Sequence, residues 1–221
     1  MSALVFIEPN KIDSVPFTTS LVVAEHTFIE HRKLKATIRK YENELKAFGL
    51  SAPYQAESTG GRPEEYYKLN EPQAVFLLTL LKNTEPVVRF KAELVRQFFL
   101  MRSELLRRQV LRMEHKPIRR SLTDAIRDAA HSQWDYKLYT DLIYKIVTGR
   151  TARQLRQDRG AKPDDTALDF MTAAEIEAVT ALESKIAVLL ECGMSYGEIK
   201  NVLLKKRTPS LERGVVNGYT A

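Results

Sequence analysis

The stretch from Glu30 to Phe48 carries cationic and amide side chains at helical spacing. One face of a helix would hold Arg32, Ala36, Arg39 and Asn43, at steps of 4, 3 and 4, with Lys33, Lys35 and Lys40 beside it. Such cations neutralise DNA phosphates, and Arg and Asn can donate paired hydrogen bonds to base edges in the major groove. The chemistry that these residue types predict is recognition of duplex DNA.

The opposite face of the same stretch is apolar. Its residues follow one another at steps of 4, 3, 4 and 3: Leu34, Ile38, Tyr41, Leu45 and Phe48. This pattern predicts a single amphipathic helix, stopped by Gly49. A solvated helix face on a bundle is the alternative interpretation of the charged side.

A second, shorter helix is predicted just before this one. Thr18, Thr19 and Ser20 are N-cap candidates for a helix to about His26, and a break follows near residues 27–29. A short capped helix, a tight turn and a longer cationic helix make a helix-turn-helix. We include Ser20 among the candidate DNA contacts. Upstream, the apolar runs 4–7 and 15–17 predict a hairpin or an edge strand.

A hairpin is predicted directly after the cationic helix. Residues 54–58 and Glu65–Leu69 are strand-like, and 59–63 form a Gly-Gly turn. This hairpin would be a wing, with Arg62 at its tip near a phosphate or the minor groove. The next residues, Asn70-Glu-Pro-Gln73, predict a capped helix with an early proline.

A long helix is predicted from about Val87 to Met113. Its apolar seam recurs at steps of 4, 4, 3 and 4: Phe90, Leu94, Phe98, Met101 and Leu105. This spacing is close to a heptad, which predicts pairing with a second chain. Packing of the seam on its own domain is the alternative.

Composition and charge bound the remaining possibilities. The chain has 221 residues, of which 44% are hydrophobic and 28% charged, and its low Gly and Pro content disfavours an all-β fold. The single cysteine, Cys192, excludes an internal disulfide. The net charge of +6 lies wholly in residues 1–120, whereas residues 18–82 alone carry only +1. We therefore expect an anionic partner for the first half.

The second half is predicted to be helical throughout. We divide the chain into a winged helix-turn-helix domain (1–82), a long helix with a basic linker at 115–120 (83–120), a helical partner-binding or oligomerising domain (121–207) and a disordered tail (208–221). The predicted fold class is mainly α with a small β component. A two-fold dimer would set two DNA-reading helices about one DNA turn apart, roughly 34 Å.

Residues for catalysis or cofactor binding are not grouped in any pattern that we can assign. There is no phosphate-binding glycine loop and no nucleophile-elbow context for Ser or His. Asp128, His131 and Asp135 share helical spacing, but nothing completes a metal site. We predict a non-enzymatic protein without cofactor or metal. The amino terminus lacks a basic, secretion-type start, and no apolar run reaches the length of a membrane span, so we expect a cytoplasmic protein.

The N-terminal half resembles the Rha-type regulatory proteins of bacteriophages and prophages, from Leu4 to about Leu105. The matching motifs are Thr19-Ser20…Val23-Ala24-Glu25, His31-x-x-Leu34-x-x-x-Ile38-Arg39, Gly61-Arg62-Pro63-x-x-Tyr66-x-x-Leu69 and Phe90-Lys91-x-x-Leu94-Val95-x-x-Phe98-x-x-Met101-Arg102. After His31 the family usually has Asp-Asn-Val, where this chain has Arg32-Lys33-Leu34. The resemblance implies a phage-borne regulator, in a bacterial host cell, that binds operator DNA.

Residues 136–206 resemble a helical region of phage antirepressor-type proteins. The motifs are Tyr139-Thr-Asp-Leu-Ile-Tyr144, Gly149-Arg-Thr-Ala-Arg153 and Gly193-Met-Ser-Tyr196-x-x-Ile199-Lys200. This second resemblance implies self-association or binding of a partner protein. The alternative function is therefore an antirepressor that disables a phage or host repressor by direct contact.

Overall fold

A computed structural model describes residues 2–8, 10–49, 54–55, 65–129 and 134–205. They form two compact units. The first comprises residues 1–110, 159–161 and 168–173, and the second comprises 111–158, 162–167 and 174–221. Helices dominate and the strands are short, so the predicted fold class, mainly α with a small β component, is confirmed. Within the described residues, no helix is both long and apolar enough to cross a membrane.

The first unit begins with a strand and a pair of helices. Strand β1 (Phe17–Thr19) leads into helix α1 (Ser20–Thr27), and helix α2 (His31–Lys40) follows after three residues. The Thr19 hydroxyl caps α1 by accepting the N–H of Val22 at 3.2 Å, as the N-cap prediction requires. Phe28 makes the turn in the left-handed region, with φ of 56°.

The predicted single helix over residues 30–48 is interrupted. It ends at Lys40 and resumes as helix α3 (Glu42–Ala47), with Tyr41 between them at φ −110° and ψ 31°. The Tyr41 ring packs edge-on against Phe76, with ring centroids 6.4 Å apart. Leu34, Ile38 and Leu45 are fully buried, whereas Phe48 stays 44% exposed. The inner face therefore forms as predicted up to Leu45.

The strand predicted over Glu65–Leu69 is split between two sheets. Strand β2 (Tyr54–Gln55) pairs antiparallel with β3 (Glu65–Tyr66), as the wing prediction requires. Strand β4 (Lys68–Asn70) pairs instead with β1. Between them, Tyr67 is buried and its backbone bonds to Ser20. The tip of the predicted wing, including Arg62, lies outside the described residues.

Helix α4 (Glu71–Thr79) begins at the predicted capping box. The Asn70 side chain accepts from the backbone N–H of Gln73 at 3.0 Å, and the Gln73 side chain accepts from that of Asn70 at 2.9 Å. Both side chains also donate to the carbonyl oxygen of Phe48, at 2.8 and 3.1 Å. The start of α4 is thus fixed to the end of α3.

Helix α5 (Glu85–Asp128) is longer than predicted. It contains Pro117, so the linker predicted at 115–120 is wrong and those residues are helical. Proline removes one backbone hydrogen bond from the helix ladder. Burial on one face offsets that loss, because His115, Leu122 and Ile126 are all less than 5% exposed.

The second unit is helical, as predicted. Helix α6 (Asp135–Thr148) ends at Gly149 in the left-handed conformation, and α7 (Ala152–Asp158) follows. Helix α8 (Ala173–Glu191) is followed by Gly193, also left-handed. Helix α9 (Tyr196–Lys205) is capped by Ser195, whose hydroxyl accepts from the N–H of Glu198. A short 3₁₀ helix, Ala167–Phe170, precedes α8.

Candidate nucleic-acid interface

Helix α2 is oriented by its two fully buried residues, Leu34 and Ile38. Both belong to the core of the first unit. Since they anchor one side of a ten-residue helix, the other side faces solvent. Local sequence therefore fixes which side of α2 a partner can reach.

The exposed side of α2, which we call the α2 cationic face, comprises Arg32, Lys33, Arg39 and Lys40. The Arg32 side chain is 86% exposed, that of Lys33 73% and that of Arg39 59%. Helix α2 itself contains no acidic residue. These four of the predicted cations therefore share one accessible surface.

Acidic neighbours flank the α2 cationic face. Glu30 lies 3.3 Å from Arg32 and 3.4 Å from Lys33, and Glu65 lies 3.4 Å from Arg39. Exposed pairs at such distances contribute little to stability and are screened by salt. A phosphate could therefore replace either carboxylate at small cost to the fold.

Lys35 and Lys40 are held by different contacts. The Lys35 ammonium is half-buried and donates to the backbone carbonyl of Glu65 at 3.3 Å, which ties α2 to β3. The Lys40 ammonium lies 5.3 Å from the ring centroid of Tyr41. Lys35 therefore positions the β2–β3 pair as much as it presents charge.

Ser20 does not belong to the exposed surface, and its assignment as a DNA contact is wrong. It is fully buried. Its hydroxyl accepts the backbone N–H of Tyr67 at 2.9 Å, its own N–H donates to the Tyr67 carbonyl at 2.9 Å, and the hydroxyl lies 3.0 Å from the His31 ring. Ser20 therefore joins the starts of α1 and α2 to the residue between β3 and β4. No local pattern in the sequence indicates this role.

Asn43 lies apart from the other predicted contacts. It is exposed, but it belongs to α3, beyond the break at Tyr41. The sequence predicts one helical face that runs from Arg32 through Arg39 to Asn43. In the structure this face ends one turn earlier, at the end of α2. Arg62, the predicted wing contact, lies outside the described residues, so its role stays a prediction.

The apolar seam predicted for the long helix lies on α5, and we call it the α5 seam. It is buried inside the first unit. Phe90, Leu94, Phe98 and Leu105 are at most 6% exposed, and Met101 packs against the same core while remaining partly buried. An interface with a second chain needs these side chains on the surface. The prediction of the seam as an oligomerisation surface is therefore wrong, because Phe90, Leu94 and Phe98 share one core with apolar residues of α1, α2 and α4.

A comparison with protein families gives a match in the N-terminal half of the chain. The family model described as phage regulatory protein Rha matches residues 18–103. This range contains α1 to α4 and the first part of α5, so the predicted resemblance of the N-terminal half is confirmed. None of the curated proteins matches the chain. That family is described as one of phage regulatory proteins.

Proposed function

We propose that this protein is a phage regulator, a transcription factor that binds operator DNA through the α2 cationic face. The observation that carries the proposal is four exposed cations on one side of a helix whose other side is locked into the core. A helix of this diameter fits the major groove, where Arg can address guanine and Lys can neutralise phosphate. The protein works without catalysis or cofactor, in the host cytoplasm.

The proposed reading geometry depends on a rigid support for α2. Leu34 and Ile38 fix the rotation of the helix. The Ser20 hydroxyl, 3.0 Å from the ring of His31, ties its first residue to the start of α1. Recognition groups held by packed neighbours lose little freedom on binding. The β2–β3 pair would follow the adjacent backbone as a wing, with Arg62 as its phosphate contact.

The test is loss of binding by the triple variant Arg32→Ala, Lys33→Ala, Arg39→Ala. We expect it to stop retarding a duplex taken from upstream of the protein's own gene, while the circular dichroism spectrum stays unchanged. The matched control removes three exposed cations from the second unit: Lys145→Ala, Arg153→Ala, Lys200→Ala. Since both variants lose three charges, a difference between them reports position and not net charge.

Two results would contradict the proposal. The first is a triple variant that folds and retards the duplex as the unaltered chain does. The second is equal weakening by the triple variant and its control, because that pattern belongs to a diffuse attraction between a basic protein and any polyanion.

A second candidate function is antirepression by protein contact. The observation that favours it is the internal pairing of the α2 cationic face with Glu30 and Glu65, together with a net charge of only +1 over residues 18–82. Capture of partners from a lysogenic host, with and without nuclease, separates the two functions. A repressor that remains bound after nuclease treatment supports antirepression, and loss of all partners supports DNA binding.

A further inference from the structure

A cationic cleft lies within the second unit, where residues of α5, α6 and α7 meet. Its volume is about 370 Å³. The lining contains four cationic side chains and one carboxylate: Arg119, Lys137, Arg153, Arg156 and Asp141. We call this feature the α6–α7 cleft. Clefts of this size hold small molecules, so the question is which charge and chemistry the lining selects.

Helical spacing brings the charged side chains to the cleft. Arg153 and Arg156 are three residues apart on α7, so they share one face of that helix. Lys137 and Asp141 are four residues apart on α6 and share a face in the same way. Because Leu155 is only 1% exposed, it fixes the rotation of α7 and keeps the two arginines at the cleft.

Arg119 is held in one position at the cleft. Its guanidinium donates to the Glu183 carboxylate and to the Thr140 hydroxyl, both at 2.9 Å, while the side chain remains 34% exposed. The Thr140 hydroxyl in turn donates to the backbone carbonyl of Tyr136 at 2.7 Å, which fixes the guanidinium to α6. A donor that is already fixed loses little freedom when it binds an oxyanion.

The other three cations of the cleft lack a carboxylate of their own. Among the residues that the structure describes, none of these forms an ion pair: Lys137, Arg153 and Arg156. Asp158, the acidic residue of α7, pairs with Arg150 instead. The Asp141 carboxylate accepts the backbone N–H of Ala152 at 3.2 Å. Its single charge offsets one of the three cations.

The balance of charges selects a dianion. With His115 counted as neutral, Glu183 balances Arg119. Asp141 offsets one further cation, which leaves two positive charges at the cleft. A phosphate monoester carries close to two negative charges at neutral pH, whereas a nucleic-acid backbone offers only one charge at each phosphate. Guanidinium groups donate paired hydrogen bonds to phosphate oxygens. We propose that the α6–α7 cleft binds a small molecule that bears a phosphate monoester.

The test compares two ligands on the full chain without DNA, so its outcome is independent of the proposed function. Ethyl phosphate presents the dianion, and diethyl phosphate presents the same phosphorus centre with a single charge. Each is titrated at neutral pH and constant ionic strength while amide NMR shifts are followed. Ethyl phosphate should give saturable shifts in α6 and α7, with a dissociation constant on the order of 1 mM. Diethyl phosphate should bind about tenfold more weakly, because it matches only one of the two charges.

Substitutions then locate the site. The double variant Arg153→Gln, Arg156→Gln should weaken binding of ethyl phosphate by about tenfold or more, because it removes two guanidinium donors. The matched control, Lys145→Gln with Lys200→Gln, removes two exposed cations of the same unit that do not line the cleft, and it should leave the affinity unchanged. Lys137→Gln, at an exposed position of α6, should also weaken binding and covers the case in which the α7 variant loses its fold.

Three results would overturn the proposal. The first is the absence of saturable shifts in α6 and α7 at millimolar ethyl phosphate. The second is equal affinity for the two ligands, since a cleft that accepts a diester as readily suits a nucleic-acid backbone. The third is equal weakening by the cleft variant and its control, because the binding would then follow net charge and not position.

Discussion

Each of the two compact units holds a charged cluster, which is exposed in the first unit and buried in the second. In the first, the α2 cationic face is open to solvent, with the Arg32 side chain 86% exposed. In the second, Glu183 is 1% exposed and lies 2.9 Å from both Arg119 and His115. Arg119 also donates to the Thr140 hydroxyl at 2.9 Å.

The difference separates charges that can act on a partner from charges that act on the fold. Exposed cations contribute little to stability and can exchange one anion for another. Glu183 joins α5, α6 and α8, and removing one member of such a buried group leaves the others unpaired. The comparison predicts that the first cluster controls binding and that the second controls stability.

The largest expected effect is that of Glu183→Ala on stability. Because it leaves Arg119 and His115 without their carboxylate, we expect the free energy of unfolding to fall by about 3–5 kcal/mol in urea titration. Glu191→Ala, at an exposed position of the same helix, should change it by less than about 0.5 kcal/mol. Equal effects of the two substitutions would contradict the prediction that the buried cluster controls stability.

An intermediate effect is expected for Ser20→Ala. It leaves the buried N–H of Tyr67 without an acceptor, which should lower the free energy of unfolding by about 1–3 kcal/mol. DNA affinity should also fall, because α2 loses part of its support. Ser184→Ala, exposed on α8, is the control, and a Ser20→Ala protein of unchanged stability would show that the Ser20–Tyr67 bond is dispensable.

The smallest expected effect is that of Arg62→Ala on the salt dependence of binding. A lost phosphate contact weakens all DNA sequences about equally and lowers the slope of log K against log salt by about one. Titrating binding at several salt concentrations measures this slope directly. An unchanged slope identifies Arg62 as a turn residue without a DNA contact.

The sequence predicts the helices whose ends carry local chemistry. Thr19, the Asn70–Gln73 capping box and Gly149 act within a few residues, so their roles can be derived from spacing alone. The break at Tyr41 and the helical Pro117 depend on tertiary packing, which overrides local preference.

The candidate site was only partly predictable for the same reason. The spacing of Arg32 and Arg39 places them on an exposed face, as the structure shows. The contacts of Ser20 with Tyr67 join residues 47 positions apart, and no local pattern encodes them. Likewise, a heptad seam indicates that a helix face is buried, but it does not indicate whether the partner helix belongs to the same chain. For this reason the sequence predicts pairing of the α5 seam with a second chain, whereas the structure buries it within one.

The pairing of β1 with β4 bears on how the protein forms during synthesis. Phe17 pairs with Asn70, so the segment that contains α1, α2 and α3 is a loop whose two ends are fastened together. Closing such a loop lowers the entropy of the chain, and only the contacts made after closure compensate for that loss. A nascent chain that ends before Asn70 therefore carries every cation of α2 but lacks the β1–β4 pairing that holds them in place. Emergence of β4 from the ribosome thus marks the earliest moment at which the α2 surface can exist as a fixed shape.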